Sequence, residues 1–335
     1  MNKCVALLFV SIIVATQVFV SGCMSQSNRT ATNATTSQNA TTPDGIVYVG
    51  SWDHNIYALN ATTGTKIWSY TTGDIVLSSP TVSNGIVYVG SQDHNVYALN
   101  ATTGTKIWSY TTGDKVYSSP TGFNNIVYIG GADHNVYALN ATTGAKVWNY
   151  TTGGNVWSSP TVSNRIVYVG SDDHNVYALN ASTGTKIWSY TTGDIVYSSP
   201  TVSNGIVYIG GGVHNYNVVY NYNVSALNAA TGTKIWSYTT GSFVASSPTV
   251  SNGIVYVGSA DHNVYALSAN TGTKVWSYTT GSRVNSSPAI ASGIVYVGSV
   301  DNNVYALNAT TGTKIWSYNT GNGVNSSPTI ANGIG

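Results

Sequence analysis

The chain writes one unit, GIVYVGSWDHNIYALNATTGTKIWSYTTGDIVLSSPTVSN in its first copy, seven times over, beginning at Gly45, Gly85, Asn125, Arg165, Gly205, Gly253 and Gly293. The spacing is 40 residues, broken once by 48. A period of this size confines the fold to a propeller, a solenoid or an array, because so short a unit cannot bury its own apolar face and must stack on its neighbours. An eighth start, Gly333-Ile334-Gly335, stands at the end of the sequence.

Within the unit, four short runs alternate with turn chemistry, and none is long enough for a typical helix. In the first copy they are Ile46 to Ser51, Ile56 to Asn60, Thr65 to Thr71 and Ser78 to Val82. Four strands per repeat make a propeller blade. The first three runs are β-branched and aromatic on both side-chain parities, so both faces of each sheet are expected to be buried between neighbouring blades.

The turns agree with this reading. Asp53-His54-Asn55 and its counterparts at 93, 133, 173 and 261 follow the first run, where a tight hairpin takes residues that tolerate positive φ. Asn60-Ala61-Thr62-Thr63-Gly64 follows the second, with glycine for a left-handed position and Asn60 bonding back to the turn. Apart from Pro43, proline occurs only in the Ser-Ser-Pro of the fourth run, at a strand start or a bulge.

Ala58, Asn60, Thr63, Gly64 and Trp68 follow the pattern A-x-D-x-x-T-G-x-x-x-W of the PQQ-like β-propeller repeat family, which the region from Gly45 to Gly335 resembles. Asparagine replaces the family's aspartate, with Ser268 in the sixth copy. The resemblance implies that Trp68, Trp108, Trp148, Trp188, Trp236, Trp276 and Trp316 each dock on an adjacent blade, which gives seven blades. WD40 repeats have a similar period, but the only Trp-Asp pair is Trp52-Asp53, in a turn. The fold expected is therefore all-β: a seven-bladed propeller of four-stranded antiparallel blades. Because the first unit has no fourth run ahead of it, Ser326-Ser327-Pro328-Thr329-Ile330 is expected to close the ring by pairing into blade one. An eight-bladed ring, common in this family, would need residues beyond those of the sequence.

Charged residues are 7% of the chain, glutamate is absent and the formal charge is +1. No basic patch for phosphate follows from such a composition, which excludes nucleic acid as a partner. Asn, Thr, Ser and Tyr must carry the surface, favouring hydrogen bonding and stacking over electrostatic steering.

The amino terminus reads as three pieces. Residues 1–23 form a lipoprotein signal, with Lys3, an apolar stretch from Val5 to Val20 and the lipobox Val20-Ser21-Gly22-Cys23, so that Cys23 becomes the lipidated first residue. Residues 24–43 are a Ser/Thr/Asn-rich tether bearing the sequons Asn28, Asn33 and Asn39. Residues 44–335 are the propeller. Sequons recur in the turns at Asn60, Asn100, Asn140, Asn180 and Asn308, where asparagine already has a structural task. The protein is expected outside the cytoplasm, anchored to the outer face of the cytoplasmic membrane or to the cell surface.

Histidines 54, 94, 134, 174, 214 and 262 share one repeat position, which Asn302 takes in the last copy. Equivalent turns spread around a ring cannot converge on one ion, and His and Asn share a tolerance of positive φ, so no metal is assigned. Quinone-dependent dehydrogenases of the resembling family imply a calcium held by acidic and amide side chains, a catalytic aspartate and adjacent cysteines. Here the aspartates at 53, 93, 133, 173, 261 and 301 are turn residues, and only Arg165 and Arg283 in the propeller offer a carboxylate clamp. No catalytic residue and no cofactor are assigned.

Variation concentrates just before Ser-Ser-Pro, where the copies read Leu77, Tyr117, Trp157, Tyr197, Ala245, Asn285 and Asn325. At the inner end of the blades these would ring the channel mouth, half aromatic and half polar, a rim suited to a sugar or a peptide. The fifth unit lengthens the hairpin after its first run by eight residues, and Tyr216, Tyr220 and Tyr222 of that insert are expected to overhang the same face as a contact surface. These features read as a non-catalytic, lipid-anchored surface propeller that binds a protein or a glycan. The alternative is a quinone-dependent oxidoreductase or a fragment of one. The chain is also similar to the lipoprotein propeller of the bacterial outer-membrane assembly machinery, which implies a scaffold role.

Overall fold

The computed structural model describes residues 45–212 and 222–330. Among these residues there is no helix, and seven antiparallel sheets follow one another along the chain as the blades of a seven-bladed β-propeller. Blade one holds β1 (Ile46–Gly50), β2 (Asn55–Asn60) and β3 (Lys66–Thr71). Blade two holds β4 (Thr81–Ser83), β5 (Ile86–Gly90), β6 (Asn95–Asn100) and β7 (Lys106–Thr111), in that order from inside to outside. Blades three to seven repeat this plan. The fourth run of each unit thus becomes the innermost strand of the next blade, so a covalent connection ties every blade to its successor.

The turns hold the register. His54, His94, His134, His174 and His262 lie at φ between 69° and 74°, and Asn302 at 74°, so the His-to-Asn exchange preserves a left-handed turn residue. Asn60 Oδ1 accepts the backbone N–H groups of Thr62 and Thr63 at 2.9 and 2.8 Å, closing the second turn. A bulge between Ala58 and Leu59 bends the outer strand, and it recurs in every blade.

The core lies between blades. Trp68 of blade one donates its Nε1–H to Ala101 O of blade two at 2.9 Å, and Tyr48 OH donates to the same oxygen at 2.9 Å. This pair of bonds recurs at Ala141, Ala181, Ala229, Ala269 and Ala309. The indole of Trp68 lies over Gly104, where an added Cβ would meet it at 2.6 Å. Glycine is therefore required twice over, by φ of 72° and by the ring. Each indole is 8% exposed in blades one to six, and burying one contributes on the order of 2–3 kcal/mol.

Two expectations need correction. Both-face burial holds for the middle strands such as β5 and β6, but the outermost strand buries little besides its tryptophan, because it forms the perimeter. The closing pair is also not formed by the described residues: blade one has three strands, and residues 327–330 belong to none. Ser327 Oγ instead accepts the N–H of Ser287 at 2.9 Å, which sets its segment beside blade seven as the next inner strand in the series. Trp316 is 41% exposed and a Cβ on Gly64, where it would dock in a closed ring, meets nothing within 4 Å. The seam between blades seven and one is open among the described residues.

Candidate binding face

A chain of serine bonds runs around the inner strands. Ser79 N–H donates to Ser119 Oγ, Ser119 to Ser159, Ser159 to Ser199, Ser199 to Ser247 and Ser247 to Ser287, all at 2.9–3.0 Å. The variable residue two positions before each of these serines is thereby held next to its counterpart in the following blade. Tyr117 and Trp157 have ring centroids 4.2 Å apart, and Trp157 meets Tyr197 edge-on at 6.1 Å. On the polar side, Asn285 Nδ2 donates to Asn325 Oδ1 at 3.1 Å. Leu77 and Asn325 are exposed, whereas Ala245 and the residues between are half-buried. Of the seven positions, Tyr117, Trp157 and Tyr197 are thus in mutual contact, and so are Asn285 and Asn325.

In blades two to seven the hairpin after the second strand lies against the loop that carries the variable residue. Gln92 N–H donates to Ile75 O at 3.0 Å, Asp172 to Asn155 O at 2.9 Å and Gly212 to Ile195 O at 3.1 Å. Gly212 and Tyr222, at the two ends of the insert, are thus on the rim face. The carbonyl of Tyr222 accepts from Thr240 N–H at 2.8 Å, the place that histidine carbonyls hold in other blades. Tyr216 and Tyr220 lie outside the described residues, as do Cys23, Asn28, Asn33 and Asn39 with the signal and tether. Trp52, in the corresponding turn of blade one, is 72% exposed.

Asp172 is the one side chain here that the rim pattern did not reveal. Its Oδ2 accepts Trp157 Nε1–H at 2.6 Å, while Oδ1 is buried without a hydrogen-bond partner. The Asn155 amide is near enough to favour the charged carboxylate but closes no bond to Oδ1. Burial pushes the Asp172 pKa above the usual carboxylate value, with Asp173 adding to the rise and Trp157, Asn155 and His134 opposing it. A signal existed: the residue before the Asp-His-Asn turn, or Asp-Asn-Asn in the last copy, reads Trp52, Gln92, Ala132, Asp172, Ala260 and Val300, a second variable column beside a nearly constant turn.

The turn aspartates do structural work instead. Asp173 accepts Gly153 N–H at 2.6 Å, Tyr177 OH at 2.6 Å and Asn175 N–H at 3.0 Å, stapling one blade to the loop from the last. Asp93, Asp133, Asp261 and Asp301 repeat that set. Burial raises the pKa of Asp173 and Asp301, but the donated bonds outweigh it and hold both below the ordinary value. Among the described residues no three His, Cys, Asp or Glu side chains converge as metal ligands. The turn aspartates are already bound and Arg283 is engaged over the Phe243 ring, its guanidinium carbon 5.8 Å from the centroid, so these residues do not fit a calcium and quinone of the dehydrogenase type.

Fold and rim define a β-propeller of PQQ-like repeats. The chain belongs to the family described as outer membrane protein assembly factor BamB, whose profile matches residues 24–155, 111–219 and 220–333. Among solved structures, BamB from Moraxella catarrhalis is similar with a TM-score of 0.73 and 20% identity, over 86% of this chain and 88% of that one. The computationally designed Ika8 protein superposes at 0.74 with 19% identity, covering 89% of both chains. A europium-containing methanol dehydrogenase reaches 0.70 at 15% identity, over 84% of this chain and 78% of its own. At such identities the likeness is one of fold. No curated protein sequence matches the chain.

Proposed function

We propose that this protein is a non-catalytic binding propeller, held outside the cytoplasm by a lipid on Cys23, with a protein or glycan received on the rim face. One observation carries the reading: in a frame repeated almost without change, side chains diversify on one face, and three of them, Tyr117, Trp157 and Tyr197, form a contiguous aromatic cluster. Aromatic clusters at concave mouths are where binding energy concentrates. Membership in a family described as an assembly factor favours a protein partner over a small substrate. Lipidation rests on the lipobox, and glycosylation at Asn28, Asn33 and Asn39 on their sequons in the tether. The rival reading, a quinone-dependent oxidoreductase, draws on the dehydrogenase neighbours and meets the unsuited donor set above.

The test is affinity capture from envelope extract with the full chain and with a Tyr117→Ala, Trp157→Ala, Tyr197→Ala variant of equal folding. Recovery of a protein or glycoconjugate by the native chain and not by the variant is expected. Equal recovery by both, or tight quinone uptake in the presence of calcium, overturns the proposal.

A further inference from the structure

We propose that Asp172, with Trp157, Tyr197 and Tyr117, forms a subsite for an organic cation: an alkylammonium or guanidinium group such as a lysine or arginine side chain presents. This deepens the rim reading and rests on it. The carboxylate is half satisfied: Trp157 Nε1–H occupies Oδ2 at 2.6 Å, and Oδ1 is buried with no hydrogen-bond partner. An acceptor in that state calls for a donor, and one carrying positive charge forms the stronger bond.

The surroundings point the same way. Tyr117 packs on Trp157 at 4.2 Å and Tyr197 meets it at 6.1 Å, and the Tyr197 hydroxyl feels the Asp172 charge. The indole edge bonded to Asp172 and the Tyr197 ring within reach of its charge border a desolvated carboxylate, so a cation is favoured over a neutral group chiefly through that charge. The other charged and titratable groups nearby do not fill this role. Asp173 is fully occupied by Gly153, Tyr177 and Asn175, Lys115 Nζ donates to Gln92 Oε1 at 3.3 Å, and His134, exposed in the neighbouring turn, acts on Asp172 through its charge without an ion pair among the described residues. A sugar would also supply donors and stack on the rings, but it would bring no charge to balance Asp172.

Calorimetric titration of the full chain separates these cases. Probes are n-butylammonium, tetramethylammonium, ethylguanidinium and a tripeptide with a central lysine, against n-butanol and methyl glucoside as neutral controls. Saturable binding of the cations and none of the neutral probes is expected, with Asp172→Asn weakening it about tenfold or more and Trp157→Phe weakening it while Asp172 remains. Lysine peptide above tetramethylammonium indicates a basic side chain on a partner protein, and the reverse order a small quaternary amine. Cooperative melting of Asp172→Asn confirms that the variant is folded. No saturable cation binding, binding indifferent to Asp172→Asn, or binding of methyl glucoside in place of the cations overturns the inference. Partner capture that depends on the aromatic trio but not on Asp172 also overturns it, and leaves the rim reading standing.

Discussion

Gly144 and Gly64 occupy the same place in the third and first repeats and differ in one respect, which makes them a matched pair. Both have positive φ, 72° and 68°. A Cβ at Gly144 meets Trp108 Cδ2 at 2.6 Å, whereas one at Gly64 meets nothing within 4 Å. Left-handed backbone costs an L-residue roughly 1–2 kcal/mol, and overfilling a packed interface adds roughly 1–3 kcal/mol. Gly144→Ala should therefore destabilise by about 2–5 kcal/mol and Gly64→Ala by about 1–2 kcal/mol. Guanidinium unfolding followed by tryptophan fluorescence gives both midpoints, and thermal scans should separate the variants by several degrees, at about 2–4 °C per kcal/mol for chains of this size. Equal losses would refute the reasoning, because they would mean that an indole sits on Gly64 and the seam is closed in solution.

Other outcomes follow from the charges and from the anchor. Asp173 and Asp301 have depressed folded pKa values, so their contribution is present above the unfolded value of about 3.9 and lost as pH falls through the folded one; Asp301→Asn should lower the melting temperature at pH 7 and flatten its acid dependence. Burial raises the phenols of Tyr88 and Tyr128 to about 12, so stability is full below the unfolded value of about 10 and falls as pH rises toward the folded one; alkaline melting curves of Tyr128→Phe should show a smaller drop. Asp172 is raised by burial, hence a cost at neutral pH; Asp172→Asn should melt at the same temperature as the native chain or higher, and a marked fall would give it a structural role. Cys23→Ala should release the protein from membranes, and unchanged retention and mature mass would refute lipidation.

Most of the architecture could be read from the sequence because the repeat wrote each signal seven times. The tryptophans of blades one to six, the glycine of the second turn and the His-to-Asn exchange at 302 each pointed to one geometry, which the structure shares. The positions before Ser-Ser-Pro were legible as variation against a constant frame. Asp172 was not, because an aspartate beside Asp-His-Asn looks like one more turn residue until Trp157 is seen bonding to it. The closing strand is a different case: counting runs assigns Ser326 to Ile330 a strand, but pairing with β1 joins the two ends of the array, and no residue within a single repeat reports it.

The alanine carbonyl that accepts both a tyrosine and a tryptophan from the blade before it has an evolutionary consequence. Every unit carries both halves of this joint, the donors on one side and the acceptor on the other, so a duplicated or deleted unit leaves its new neighbours with the contacts they had. Unequal crossing-over between copies can therefore lengthen or shorten the array without any compensating mutation at the joints, while point changes before Ser-Ser-Pro alter one solvent-accessible position of one face at a time. Array length and the chemistry of that face are free to evolve on separate clocks.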